Sequence, residues 1–238
     1  MTASLLAFDT ATEHLSIALI AHGAVFEHEA PGGAQASATL IPAIFALLGR
    51  AAITLHELDA IAFGRGPGAF TGLRTACAVA QGLALGAGKP VLAIDTLLAV
   101  AEDARAGDPN AQPVWVAMDA RMNEVYAAQY AFADARWTTL DAPRLMTPEA
   151  LNERWRAQAP GLIAGNALGA FGDSLATGAA RLAPAALPRA RAMLPLAQAL
   201  WEAGGAVDAA LALPLYLRDK VAQTTLERAA ARAAKVAG

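Results

Sequence analysis

Chemical information is densest in the stretch Gly66-Pro67-Gly68-Ala69-Phe70-Thr71-Gly72-Leu73-Arg74. Its glycines admit backbone conformations barred to other residues, and Thr71 at the start of a helix would cap it while leaving N–H groups and the positive dipole end facing outward. Such a helix end can hold an anion. The same glycines serve equally well to turn the chain from a strand into a helix with no ligand present. A P-loop is excluded, because the Lys-Ser/Thr pair that reaches phosphate and magnesium in that motif is missing. Two acidic turns form the second candidate, Asp9-Thr10-Ala11-Thr12 and Asp119-Ala120-Arg121, each following a short apolar run. Asp9 and Asp119, with Thr10 alongside, could hold magnesium in a degenerate nucleotide site. Both turns, however, carry side chains where close backbone approach to phosphate favours glycine, and an aspartate at a strand end also caps a turn.

The histidines His14, His22, His28 and His56 make no metal site. None has a second histidine at helical spacing, and the His-Glu-x-x-His pattern of metallopeptidases is missing, so all four are expected in turns or at the surface. Cys77 lies among Ala76, Ala78 and Val79 and reads as a small buried residue rather than a nucleophile.

These residues need elements to position them. Apolar runs predict strands over 5–8, 15–21 and 24–29, the last two joined at His22-Gly23. Helical spacing of Leu40, Ile41, Ile44, Leu47 and Leu48 predicts a helix over 37–50, with Pro42 tolerable only in a first turn. A strand over 59–64, the glycine loop, a helix over 71–87, a strand over 91–95 and a helix over 97–106 follow. The breaker cluster Gly107-Asp108-Pro109-Asn110 sets an expected boundary between domains 1–106 and 107–238. The second half opens as the first does, with strands over 114–118, 125–132 and 136–140 around the turn at Asp119. A helix over 147–157 is expected with Thr147 as its N-cap and Pro148 at its first position. After a strand over 162–164, residues 167–206 read as helices broken at Pro184, Pro188, Pro195 and Gly204-Gly205, and an alanine-rich helix closes the chain from Thr224. The fold class is therefore α/β, two duplicated units each with a mixed sheet and flanking helices.

On the helix after the glycine loop, Gly72, Ala76 and Ala80 recur every four residues as a small-residue ridge, flanked by Leu73, Val79 and Leu83. The preceding helix is apolar over Leu40, Ile44 and Leu47. Such a pair can present a surface to a second subunit, or the ridge can pack on the chain's own sheet.

Composition bounds the partners. Across 238 residues, 56% are hydrophobic and 16% charged with a net charge of −3, which excludes global disorder. The mean hydropathy of +0.38 comes largely from alanine. No apolar run reaches the roughly 18–20 residues of a membrane span. A start without a basic region, and the lone Cys77, fit a cytoplasmic protein without a disulfide. The end is basic, with Arg218, Lys220, Arg228, Arg232 and Lys235 against Asp219 and Glu227.

The glycine stretch resembles the hallmark of the TsaB (YeaZ) family of bacterial tRNA threonylcarbamoyladenosine synthesis, Gly-Pro-Gly-Ser-Phe-Thr-Gly-Leu-Arg, with Ala69 in place of the serine. The resemblance extends to Leu6-Ala7-Phe8-Asp9-Thr10-Ala11-Thr12, to Asp119-Ala120-Arg121-Met122-Asn123-Glu124-Val125-Tyr126 and to Pro214-Leu215-Tyr216-Leu217-Arg218, so it spans both halves. It implies an actin/Hsp70/sugar-kinase-like (ASKHA) fold and a non-catalytic scaffold subunit. Through the two helices of the first half, that subunit would bind a TsaD-like catalytic protein, or a second copy of itself when alone. The resemblance further implies contact with the P-loop ATPase TsaE, and tRNA engaged through the complex. ATP and metal would sit on partner subunits, with no cofactor of its own. The expected role is support of threonylcarbamoyl transfer to adenosine 37 of tRNAs reading ANN codons. An autonomous ATPase or small-molecule kinase, and a glycoprotease-like metallopeptidase, are the rival activities; the degraded turns disfavour the first and the missing histidine pair the second.

Overall fold

The computed structural model describes residues 3–108 and 113–218. The first half builds a sheet from β1 (Leu5–Asp9), β2 (His14–Ala21), β3 (Ala24–Pro31), β4 (Ala60–Gly66) and β5 (Val91–Asp95) in the order β3-β2-β1-β4-β5. β1, β2 and β3 run antiparallel through the hairpin at His22-Gly23, while β1, β4 and β5 are parallel. The second half repeats this with β6 (Val114–Asp119), β7 (Val125–Ala133), β8 (Arg136–Met146), β9 (Leu162–Ala164) and β10 (Arg181–Ala183), ordered β10-β9-β6-β7-β8. Each half thus places a central strand ending in aspartate beside its hairpin, which is the duplication expected from the paired Asp turns.

The layers follow from burial. Helices α1 (Ala36–Arg50) and α2 (Phe70–Ala87) cover one face of the first sheet, where Leu40, Ile44, Leu47 and Ala80 meet Leu6, Phe8, Ile17 and Leu19. α6 (Ala190–Glu202) covers the other face through Met193, Leu194 and Ala197 against Leu5, Ala7 and Leu92. Helix α3 (Thr96–Gly107) packs Leu97, Val100 and Ala104 on the second sheet, and α4 (Pro148–Ala157) with α5 (Ala167–Phe171) covers that sheet's far face around Trp115 and Trp155. Each fully buried Leu, Ile or Phe contributes roughly 1.5–3 kcal/mol, so these layers hold the two turns of the candidate site in place.

Several elements differ from the sequence reading. Pro42 lies in the second turn of α1 rather than its first, and Pro195 lies inside α6 rather than breaking it. Both prolines face solvent, so neither ring is driven into the core. Strand β8 runs past Leu140 to Met146 because Ala142 and Pro143 are absorbed as an irregularity in its pairing with β7. A parallel strand, β10, stands where helix was expected; with three residues it is too short to show a period. α6 follows the second sheet in sequence yet packs on the first. At α4 the expected cap is present, Thr147 accepting from the Ala150 N–H. The alanine-rich segment from Thr224, with Lys220, Arg228, Arg232 and Lys235, lies outside the described residues.

Candidate functional site

The two acidic turns meet at a cleft between the halves. Asp9 ends β1 with its side chain buried, accepting from the Ala11 N–H at 2.7 Å and from the Thr96 hydroxyl at 3.0 Å. Gly64 makes room for it, since a β-carbon there would lie 1.7 Å from Oδ2. Burial pushes the Asp9 carboxyl up to about 6, the two hydrogen bonds pulling the other way. Thr10 is also buried and donates to the Gly72 carbonyl at 2.8 Å. In the second half Asp119 repeats the turn, accepting from the Arg121 N–H at 2.7 Å and pairing with the Arg121 guanidinium at 3.2 Å, while its own N–H donates to Asn166. Both aspartates are thus turn caps.

The glycine stretch is a packing device for that cleft. Gly66 has φ +114°, and a β-carbon on it would lie 2.8 Å from the Leu215 carbonyl oxygen; the peptide to the buried Pro67 is cis. One on Gly68 would lie 2.6 Å from Ala11 Cβ, and one on Gly72 would lie 1.9 Å from the Thr10 carbonyl oxygen. Thr71 is exposed and does not cap α2; the N-cap is Ala69, whose N–H donates to the Ala11 carbonyl at 2.8 Å. The turn after β1 thereby ties down the N–H of the N-cap residue itself. Arg74 lies over the Phe70 ring at 3.6 Å and donates to the Tyr216 hydroxyl at 3.1 Å, and Phe70 and Tyr216 stack at 5.5 Å. An arginine on an aromatic face with a donor engaged is a positioned group.

The cleft has a free volume of 230 Å³, below the roughly 300–1,000 Å³ of small-molecule sites. Leu215, Tyr216, Leu217 and Arg218 line it from the C-terminal part of the chain, and Glu13 and Arg121 pair across its mouth at 3.0 Å. Asp9 spends both oxygens inside the protein, on the Ala11 N–H and the Thr96 hydroxyl, whereas Asp119 and Glu13 line the cleft. Among the described residues no group of three or more His, Cys, Asp or Glu could hold a metal. His14, His22 and His56 are exposed and His28 half-buried, and Cys77 is buried with its S–H donating to the Ala212 carbonyl. Burial raises that thiol further above its usual range.

The expected partner ridge faces inward. Leu40, Ile44, Leu47, Gly72, Leu73, Ala76 and Ala80 are buried in the chain's own first half, and only Val79 and Leu83 remain half-exposed. The sequence shows the period of each helix but not which face its sheet claims. What α1 and α2 turn outward is a different apolar set: Ile41 (41% exposed), Phe45 (50%) and Leu85 (80%). Beside Leu85, the exposed Ala78, Gly82 and Gly86 form a second small-residue ridge with the same four-residue spacing. A missed signal lay in that doubled spacing: two ridges on one helix mean one for the sheet and one for solvent.

Two sheets of the same strand order meeting at an acidic-turn cleft define an α/β protein of the sugar-kinase-like class. The family model described as TsaD, tRNA N6-adenosine threonylcarbamoyltransferase, matches residues 27–226. The tRNA threonylcarbamoyladenosine biosynthesis protein TsaB of Escherichia coli K12 is 35% identical over 226 residues, covering 92% of this chain and 96% of the relative. The TsaB of Haemophilus influenzae Rd is 36% identical over 228 residues, covering 92% and 94%. The solved structure of YeaZ from Pseudomonas aeruginosa superposes with a TM-score of 0.83 at 38% identity, covering 90% of this chain and all of that one. The chain belongs to the TsaB (YeaZ) family.

Proposed function

We propose that this protein is a non-catalytic subunit of the machinery that makes threonylcarbamoyladenosine in tRNA, and that it docks a TsaD-like catalytic subunit through the outward face of α1 and α2. The observation that carries the docking is the exposure of Ile41, Phe45 and Leu85 on two adjacent helices beside the small ridge Ala78, Gly82 and Gly86. Large exposed apolar side chains on a pair of neighbouring helices fit a protein interface. The inward residues Leu40, Ile44, Leu47, Gly72, Leu73, Ala76 and Ala80 support that face from beneath. The non-catalytic reading is supported by the chemistry of the residues: Asp9 and Asp119 are consumed as turn caps, and α1 contains no histidine.

In this reading the chain works in the cytoplasm and supports transfer of the threonylcarbamoyl group to N6 of adenosine 37 in tRNAs reading ANN codons. ATP and metal belong to its partners, a TsaE-like ATPase joins the assembly, and tRNA is engaged through the complex. Alone, the same apolar face pairs two copies. The two halves act as domains 1–106 and 107–238. Co-elution of the purified chain with a TsaD-like subunit, compared with the Leu85→Arg and Phe45→Arg variants, tests the proposal: loss of co-elution with the fold intact supports it, and unchanged co-elution contradicts it.

A further inference from the structure

We propose that residues 214–218 are an internal latch that occupies the cleft and fixes the angle between the two halves, with Arg218 as its bolt. Nothing in this depends on the docking face. The latch starts on the first half. There the Ala212 carbonyl accepts from Gln81 at 3.0 Å, the Leu215 N–H donates to the Arg65 carbonyl at 2.7 Å, and Tyr216 sits against Phe70 and Arg74. Two residues later it grips the second half: Arg218 donates to the carbonyls of Ala120 at 2.9 Å and Arg121 at 3.3 Å, contacts the Met122 sulfur, and pairs with Glu124 at 2.5 Å.

The gripped turn is unusual. Arg121, Met122 and Asn123 hold φ of 61°, 56° and 58°, three consecutive non-glycine residues in the left-handed region. Such a turn persists only where its surroundings over-determine it. The Arg218 side chain is 12% exposed and carries four contacts to that turn and to Glu124 beside it, whereas the Glu13–Arg121 pair across the same cleft is largely solvated and screened. Proteins built from two halves around a cleft hinge when the cleft holds a removable ligand. Here the occupant is covalently part of the chain, so the halves are held in one relative setting.

The test uses the full chain and the Arg218→Gln variant, with amide hydrogen exchange and solution scattering as readouts. Exchange at the Leu215 and Glu124 amides is expected to rise tenfold or more and the radius of gyration to increase, while β1 and β6 amides keep their protection. Unchanged exchange at both amides, or an equal loss across β1 and β6, overturns the latch. Should Arg218→Gln fail to fold, Tyr216→Ala cuts the opposite end and leaves the Glu124 ion pair in place. A tenfold rise at Leu215 then supports the proposal, and no rise overturns it.

Discussion

Thr10 donates its hydroxyl to the carbonyl of Gly72 at 2.8 Å, and the carbonyl oxygen of Thr10 lies 1.9 Å from where a β-carbon on Gly72 would stand. The turn after β1 and the first turn of α2 are therefore in backbone contact, and only glycine permits it. The hallmark loop holds two elements together at the cleft.

Gly72→Ala is expected to destabilise the protein by about 3 kcal/mol, because the clash is with backbone that cannot step aside. Thermal unfolding should fall by roughly 6–12 °C for a chain of this size. Gly82→Ala is the control. Gly82 is exposed in the same helix with nothing near its missing β-carbon, so alanine should gain about 0.5–1 kcal/mol from helix propensity.

Asp9 gives a pH dependence with a definite sign. Burial lifts its carboxyl from 3.8 to about 6, so the folded state holds the proton more tightly than the unfolded chain. Below about pH 4 the group is neutral in both states and neutral in effect. As pH rises through 6 the buried charge appears, and stability falls by an amount on the order of 2–3 kcal/mol. Asp9→Asn removes this loss while keeping an acceptor for the Ala11 N–H. The melting temperature of the variant minus that of the parent should increase from pH 4 to pH 8; a decrease would mean that the ionised carboxylate stabilises the turn.

Calorimetric titration of the isolated chain with magnesium and ATP should give no saturable heat, and hydrolysis should stay at background. Turnover abolished by Asp9→Ala would return the kinase-like activity to consideration.

Much of this was legible in the sequence, and the physical reasons separate what was from what was not. Strands β1, β2, β6 and β7 announce themselves by apolar runs bounded by Asp and Gly turns, and the repeated Asp turn after β1 and β6 betrays the duplication. β10 does not, because three residues cannot show a period. The direction of the α2 ridge was hidden too, since Gly72, Ala76 and Ala80 have the composition of a helix crossing wherever they point. The return of Leu215 and Tyr216 onto Arg65, Phe70 and Arg74 joins positions some 140 residues apart in sequence. No local pattern encodes such a contact.

The inward ridge makes a further prediction. Ala76→Arg places a charge in the core beneath α2, where Ala76 is fully buried, and should leave the chain unfolded at room temperature or aggregated on expression. Circular dichroism of the purified variant checks this; a folded Ala76→Arg protein would mean that α2 is free to rotate its ridge outward.

Leu85 is the most exposed of the large apolar side chains on α1 and α2, and its replacement tests the docking of a catalytic partner most directly. The measurement is the dissociation constant between the Leu85→Arg chain and a TsaD-like subunit, taken together with the melting temperature of the variant alone. An unpaired charge desolvated in an apolar contact costs about 3 kcal/mol or more, so binding should weaken by at least a hundredfold. The isolated variant should melt within a few degrees of the parent, since residue 85 touches no core. Parent-like affinity in a folded Leu85→Arg protein would contradict the assignment of this face to the catalytic subunit.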